Sequence, residues 1–209
     1  LEFGEDYAEA LAERGYVVYC FDFCGGSYSS KSDGSNLEMS LFTEQSDLEA
    51  VISMLKEQPY VDGNELFLLG ASQGGAVSAI TAAADKDSVR GLILLYPAFV
   101  INDNAKYMFQ SVDNIPETYQ QLGMEVGKVY FEGLIDYDIY QESAGYDKDV
   151  LIMHGDADSL VPISFSEKAA ETYPSARLEV IPGAGHGFHG DTLRQSIALI
   201  LDYLEEHTG

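Results

Sequence analysis

The chain has 209 residues, 46% of them hydrophobic, which is enough for one domain with a sizeable core. Its 35 acidic residues against 11 Lys and Arg give a formal net charge of −24. Nucleic acids and anionic membranes are bound by clustered positive charge, so neither is expected as a partner. No run of about eighteen apolar residues occurs, which argues against a membrane-spanning helix.

The first part of the chain alternates helices and strands. Glu5 to Arg14 has apolar residues at helical spacing and predicts a helix. Val17 to Phe21 is a continuous apolar run, typical of a strand buried in a parallel sheet. A polar loop, Asp22 to Asn36, follows in a place where α/β enzymes often have site residues. Thr43 to Gln58 predicts a second helix.

A serine turn comes next, at Gly70-Ala71-Ser72-Gln73-Gly74. An apolar run precedes it and a run of small residues, Ala76 to Ala84, follows it, so we expect strand, tight turn and helix with Ser72 on the turn. Side chains at Gly70 and Gly74 are expected to collide with the neighbouring strand and helix. The Gln73 backbone N–H would lie at the helix N-terminus, where it can stabilise an oxyanion. The alternative is a plain turn with a capping serine.

The rest of the chain continues the alternation, with one interruption. Its three predicted strands are Gly91 to Leu95, Val150 to His154 and Leu178 to Ile181. Its two predicted helices are Ile163 to Tyr173 and Asp191 to His207. Strands that alternate with helices predict an α/β fold with a doubly wound, mostly parallel sheet.

The interruption runs from Phe99 to Asp149, where aromatic residues accumulate among acids and amides. We interpret residues 99–149 as a small insertion that folds over the carboxyl ends of the strands as a cap. Residues 1–98 and 150–209 would form the core domain. The aromatic residues are expected mainly to build the cap's own core, and the remainder to contact an aromatic or otherwise apolar substrate.

If Ser72 is a nucleophile, it needs a base and an orienting acid. Two later loops, His154 to Pro162 and Pro182 to His189, each follow a predicted strand, so all three loops can converge at one edge of the sheet. The order Ser, Asp, His is that of α/β-hydrolases.

The base is predicted to be His186, because flanking glycines let its loop bring the imidazole over the serine. His189 is the second candidate, whereas His154 precedes the acid and His207 lies near the end of the chain. Of the two acids in the earlier loop, Asp156 is better placed to bond its own turn, which weakly favours Asp158 as the orienting acid.

The chain resembles the capped feruloyl (cinnamoyl) esterase-like carboxylesterases of the α/β-hydrolase fold. Four motifs carry the resemblance: Phe21-Asp22-Phe23, Gly70-Ala71-Ser72-Gln73-Gly74, His154-Gly155-Asp156-Ala157-Asp158 and Gly185-His186-Gly187-Phe188. The family pattern His-Gly-x-x-Asp-x-x-Val-Pro implies Asp158 as the acid.

The resemblance implies a serine esterase that cleaves carboxylic esters, such as hydroxycinnamoyl or other small acyl esters, through an acyl-enzyme and without a cofactor. Its partner would be a small-molecule ester; the sequence does not specify an oligomeric state. The alternatives are an acyltransferase, an amidase or peptidase on the same triad, or a non-catalytic binding member of the fold.

The chain departs from the family in two places. The loop after Asp22 reads Cys24-Gly25-Gly26-Ser27 where relatives commonly have Gly-x-Gly-x-Ser. The His-Gly loop that follows the family's third strand and donates the second oxyanion N–H has no counterpart here. We therefore expect N-terminal strands to be missing, and the chain to be part of a protein of roughly 250 residues.

Two other features of the sequence bear on chemistry and location. The residues His154, Asp156, Asp158, His186 and His189 are metal-ligand types, but no zinc signature is present, so a metal site is the weaker hypothesis. Cys20 and Cys24 flank an extended segment of about 13 Å, too long for a disulfide. Both are predicted to be reduced, with Cys20 buried, which favours a cytoplasmic location.

Overall fold

The computed structural model describes residues 4–208 of the chain, so Leu1 and Gly209, the ends of the predicted core domain, lie outside the description. Within these described residues the six strands are β1 Phe67–Ala71, β2 Gly91–Leu95, β3 Thr118–Gln121, β4 Met124–Gly127, β5 Val150–Gly155 and β6 Ala176–Ile181. The eight α-helices are α1 Glu5–Glu13, α2 Leu41–Lys56, α3 Gln73–Ala84, α4 Ile101–Phe109, α5 Val129–Glu132, α6 Ile139–Ser143, α7 Ser164–Thr172 and α8 Asp191–His207.

The main sheet has four strands in the order β1-β2-β5-β6, all parallel. Side chains alternate across it: Leu92 and Leu94 of β2 join one buried cluster, and Ile93 and Leu95 join the other. Helices α2, α3 and α7 contribute to the first cluster, and α1 and α8 to the second. Helices therefore cover both faces, which confirms the predicted doubly wound α/β fold.

Helices α2 and α3 bring two parts of the candidate site together on one face of the sheet. The small buried residues of α3, among them Ala76, Ala79 and Ala82, let this helix lie close to the sheet and to α2. Helix α2 begins two residues before its predicted start because Ser40 caps it: the Ser40 hydroxyl accepts the Thr43 N–H at 3.2 Å, and the Thr43 hydroxyl accepts the Ser40 N–H at 2.8 Å.

The prediction of a buried strand at Val17 to Phe21 is wrong. The segment is extended but pairs with no strand among residues 4–208, and Val17 and Tyr19 are 61% and 50% exposed. Cys20, predicted to be buried, is exposed as well. A groove of about 680 Å³ separates the segment from β1, the edge strand of the sheet. An apolar run forms a buried strand only where a neighbour satisfies its backbone, and here none does.

Segment 99–149 contains α4, a short 3₁₀ turn, the antiparallel pair β3–β4, and the short helices α5 and α6. Its buried aromatic residues do not form a separate core. Phe109, Phe131 and Tyr140 belong to the same cluster as Leu41 of α2 and Ala76 of α3. The segment is thus packed directly on α2 and on α3, the helix that follows the serine turn.

Candidate active site

The serine turn joins β1 to α3, and Ser72 lies at its tip with a positive φ of 51°. This backbone region is unfavourable for a side chain, and the strain is offset by surrounding hydrogen bonds. The Ser72 N–H donates to the Leu95 carbonyl at 2.9 Å, and the Ser72 carbonyl accepts from Gly75, Ala76 and Ala98 at 3.0, 3.2 and 2.9 Å. The turn is therefore tied to both β2 and α3.

Two glycines, Gly70 and Gly75, let the turn pack this closely, whereas Gly70 and Gly74 were the two expected. A Cβ on Gly70 would lie 2.2 Å from the Gly74 carbonyl oxygen, so the first expectation is confirmed. A Cβ on Gly74 would meet nothing within 4 Å, and the expected collision there is wrong. The constrained position is Gly75, where a Cβ would lie 2.9 Å from Pro97.

The structure brings together the three residues predicted to form the triad. The His186 Nε2 lies 2.9 Å from the Ser72 Oγ, and the His186 Nδ1 lies 2.8 Å from the Asp158 Oδ2. With a carboxylate on one side, Nδ1 carries the proton, so Nε2 is free to accept the serine proton. The Asp158 side chain is fully buried, while His186 is 20% exposed.

Asp158 uses its two oxygens for different partners. Oδ1 accepts the backbone N–H groups of Leu160 and Val161, each at 2.9 Å, and Oδ2 accepts from His186. Burial raises the pKa of Asp158, but these donors outweigh it and bring its pKa below the ordinary value. The acid is therefore ionised at neutral pH and fixed in orientation.

A second histidine, His154, lies beside the acid. It is fully buried at the end of β5, and its Nε2 is 2.9 Å from the Val161 carbonyl and 3.3 Å from the Asp158 Oδ2. The Ser166 hydroxyl lies 2.7 Å from Nδ1 and serves as its donor. Burial lowers the pKa of His154, so this imidazole is neutral and supports the acid loop, as its position at the end of a strand predicts.

The remaining candidates lie apart from Ser72 or serve other contacts. The Asp156 Oδ1 accepts the Gly183 N–H at 2.6 Å, so this carboxylate joins the two loops rather than bonding its own turn as expected. His189 is exposed, and the His207 Nδ1 is 2.6 Å from the Tyr203 carbonyl. Among residues 4–208 no group of three or more His, Cys, Asp or Glu side chains is arranged to bind a metal ion.

The ring of Tyr96 packs against the base. Its centroid lies 4.8 Å from that of His186 and 5.0 Å from that of Phe188, both edge-on. Tyr96 has a positive φ of 36°, and its N–H donates to the Met153 carbonyl at 2.7 Å. This strained backbone beside His186 is a feature that sequence patterns did not indicate.

Two further polar residues contact the turn through Gln73. The Glu44 Oε2 accepts the Gln73 Nε2–H at 2.7 Å, and the Tyr130 hydroxyl donates to the Gln73 Oε1 at 2.6 Å. Sequence reasoning missed both. A signal existed for Glu44, because it precedes Leu48 and Ile52 at spacings of four on the buried face of α2. An acid in such a position needs a partner.

Burial raises the pKa of Glu44 to about 7, an effect that the Gln73 hydrogen bond opposes and nearby Asp47 reinforces. Tyr130 is buried too, and burial followed by the proximity of Glu44 raises its pKa, so it stays a neutral hydrogen-bond donor.

A parallel, doubly wound sheet with a strained serine turn after β1 defines the α/β-hydrolase fold. The chain belongs to the prolyl oligopeptidase family, whose sequence profile matches residues 3–209. Among solved structures it is similar to Est1E from Butyrivibrio proteoclasticus with ferulic acid bound. The two are 27% identical with a TM-score of 0.86, over 96% of this chain and 81% of that one.

Sequence relatives include YfhR, an uncharacterized protein of Escherichia coli O157:H7, 26% identical over 90% of this chain. Human monoglyceride lipase is 31% identical over 51% of the chain. The chain spans 61% of the length of the first and 34% of the second. These similarities place the chain among α/β-fold hydrolases whose neighbours include esterases and lipases.

Within residues 4–208, no helix combines the length and the apolar character that crossing a bilayer requires.

Proposed function

We propose that the chain is a serine hydrolase that cleaves carboxylic esters through an acyl-enzyme. One observation carries this proposal: the hydrogen-bonded chain from Ser72 Oγ to His186 Nε2 at 2.9 Å and from His186 Nδ1 to Asp158 Oδ2 at 2.8 Å. This is the arrangement in which a serine hydroxyl becomes a nucleophile at neutral pH.

In the reaction, Ser72 attacks the acyl carbon while His186 takes its proton on Nε2. The ionised Asp158 stabilises the imidazolium and fixes its orientation. The carbonyl oxygen becomes an oxyanion, which accepts the Gln73 backbone N–H; as the first residue of α3, Gln73 has no intrahelical acceptor for this group. His186 then protonates the leaving alcohol and activates the water that hydrolyses the acyl-enzyme. No cofactor takes part.

We propose hydroxycinnamoyl or other small acyl esters as substrates. The support is the similarity to Est1E, whose structure contains ferulic acid and which aligns over 96% of this chain. The partner of the site is thus a small molecule. The net charge of −24 supports the expectation that nucleic acid is not bound.

The test uses the full-length protein. We expect a fluorophosphonate probe to label Ser72, and p-nitrophenyl acetate and methyl ferulate to be hydrolysed. In Ser72→Ala, labelling should vanish and kcat/KM should fall by about 10³-fold or more, because the nucleophile is removed. Wild-type turnover persisting in Ser72→Ala would sink the mechanism, and an unlabelled wild-type protein would favour a non-catalytic binding member of the fold.

A second candidate is an amidase or peptidase on the same three residues, which the prolyl oligopeptidase family match favours. The triad does not select its leaving group. Comparing kcat/KM for matched p-nitrophenyl ester and p-nitroanilide substrates separates the two activities. Product analysis with added amines and alcohols detects acyl transfer to an acceptor other than water.

We also propose a cytoplasmic location. Cys20 and Cys24 are both free and exposed. Surface thiols that stay unpaired are typical of a reducing compartment. Fractionation of the native cells, with the protein detected by the fluorophosphonate label, tests this.

A further inference from the structure

The residue that follows the nucleophile has a side chain bound at both ends. The Gln73 carboxamide donates from Nε2 to the Glu44 carboxylate at 2.7 Å and accepts at Oε1 from the Tyr130 hydroxyl at 2.6 Å. Because the neutral Tyr130 phenol donates to Oε1, the Nε2 end of the amide is the end that faces a Glu44 oxygen. Gln73 therefore links α2, α3 and α5.

This link lies in the interior. Glu44 and Tyr130 are each 4% exposed, so water competes weakly for their hydrogen bonds. The Phe131 ring lies 4.8 Å from that of Tyr130, and the Met39 sulfur lies 3.8 Å from the Gln73 Nε2. A buried carboxyl and a buried phenol are costly unless paired, and both are paired through one side chain.

The side chain belongs to the residue whose backbone N–H faces the developing oxyanion in the proposed reaction. The carbonyl end of the Ser72–Gln73 peptide is fixed by three hydrogen bonds, from Gly75, Ala76 and Ala98. The other end has no helical hydrogen bond, because Gln73 is the first residue of α3. The Gln73 side chain joins that end by hydrogen bonds to α2 and α5.

We propose that Glu44 and Tyr130 are positioning residues: through the Gln73 side chain they fix the backbone N–H that stabilises the oxyanion. This inference rests on the proposed function, because an oxyanion forms only if Ser72 attacks an acyl group. A preorganised donor is effective only when it does not have to move during the reaction, so loosening the link lowers transition-state stabilisation more than substrate binding.

The experiment compares Gln73→Met, Glu44→Leu and Tyr130→Phe in the full-length protein. Each removes part of the link and keeps the Gln73 N–H. For Gln73→Met and Glu44→Leu we expect kcat on p-nitrophenyl acetate to fall by about ten- to one-hundred-fold with KM within about two-fold. Tyr130→Phe should lose about three- to ten-fold, since the carboxylate still holds the amide.

An inhibitor that imitates the tetrahedral intermediate separates positioning from general damage. The affinity of a trifluoromethyl ketone should weaken by the same factor as kcat/KM in each variant, because it forms the same oxyanion. Glu44→Gln retains an acceptor for Gln73 and should keep kcat within about three-fold of wild type. The double variant Glu44→Leu/Gln73→Met leaves no unpaired carboxyl, and should be no slower than Gln73→Met alone.

Tyr146→Phe is the matched control. Tyr146 is a fully buried tyrosine of the same segment whose hydroxyl bonds the Val89 carbonyl, away from the site. Its kcat should match that of wild type. An unchanged kcat in a folded Gln73→Met protein that still labels with fluorophosphonate would overturn the inference while leaving the proposed function intact. A wild-type protein that fails to label would instead reject the proposed function.

Discussion

The carboxyl end of β1 and its free edge differ sharply in how their neighbouring groups are paired. At its carboxyl end, the serine turn lies among fully paired groups: Ser72 bonds β2, and Asp158 bonds its own loop and His186. Along its free edge, the strand faces a groove of about 680 Å³, with the extended segment Val17 to Phe21 on the far side. There, Val17 and Tyr19 are mostly exposed.

The difference shows that apolar sequence alone does not make a strand. Val17 to Phe21 and Gly91 to Leu95 are both continuous apolar runs, yet only the second pairs with neighbours on both sides. Backbone pairing decides whether an apolar run is buried, because an unpaired N–H or C=O cannot be buried without cost. Three predictions test this contrast.

The largest effect, on kcat/KM, is expected at the carboxyl end of β1, where Asp158 pairs with His186. Asp158→Asn should lower kcat/KM for p-nitrophenyl acetate by about 10³- to 10⁴-fold, because an amide that donates to His186 favours the wrong tautomer. Asp156→Asn is the control: it keeps an oxygen for the Gly183 N–H and should change kcat/KM by less than about three-fold. Equal losses in the two variants would show that the loop as a whole matters rather than the Asp158 carboxylate.

A smaller effect is expected on stability at Glu44. Its pKa is raised by burial from 4.5 to about 7 in the folded state, so its contribution to stability is full below the unfolded pKa and is lost as pH rises through about 7. Between pH 5 and 8, wild type should lose about 2 to 3 kcal/mol relative to Glu44→Gln. Urea unfolding of both proteins at several pH values measures this, and parallel pH curves would contradict it.

The smallest effect is expected at the exposed edge. Val17→Ala should change the free energy of unfolding by less than about 0.5 kcal/mol, whereas Val150→Ala, the same substitution in buried β5, should cost about 2 kcal/mol. Denaturant unfolding of the full-length protein gives both values. Equal costs would mean that Val17 is buried in the complete protein, and the contrast between the two sides would fail.

Much of the fold follows from local pattern. The strand Gly91–Leu95 and the helix Asp191–His207 have the predicted bounds, because a continuous buried run and a long amphipathic period leave little choice. Pattern also led to Ser72 and His186, since glycine-flanked loops after parallel strands are confined to one edge, whereas Asp158 was implied mainly by the family motif. Sequence patterns did not predict the β3–β4 pair, because the side chains of β3 are largely polar and exposed.

The features that sequence patterns did not indicate depend on contacts between distant parts of the chain. The partners of Gln73 are Glu44 and Tyr130, 29 and 57 positions away, on a helix and on a segment whose packing no periodicity predicts. The exposure of Val17 to Phe21 likewise depends on which strand pairs with it. Gly74 was expected to be constrained, but the approach of Pro97 to Gly75 is a tertiary contact that the motif does not encode.

The two oxygens of the Asp158 carboxylate have different partners, and this orients the hydrogen bonds of the site. One oxygen is held by two N–H groups of its own loop, so the other faces His186. The resting imidazole proton is thereby kept on the side away from Ser72. In the proposed reaction the serine proton therefore moves to His186 Nε2, and the backbone N–H groups of the acid loop help to set that direction.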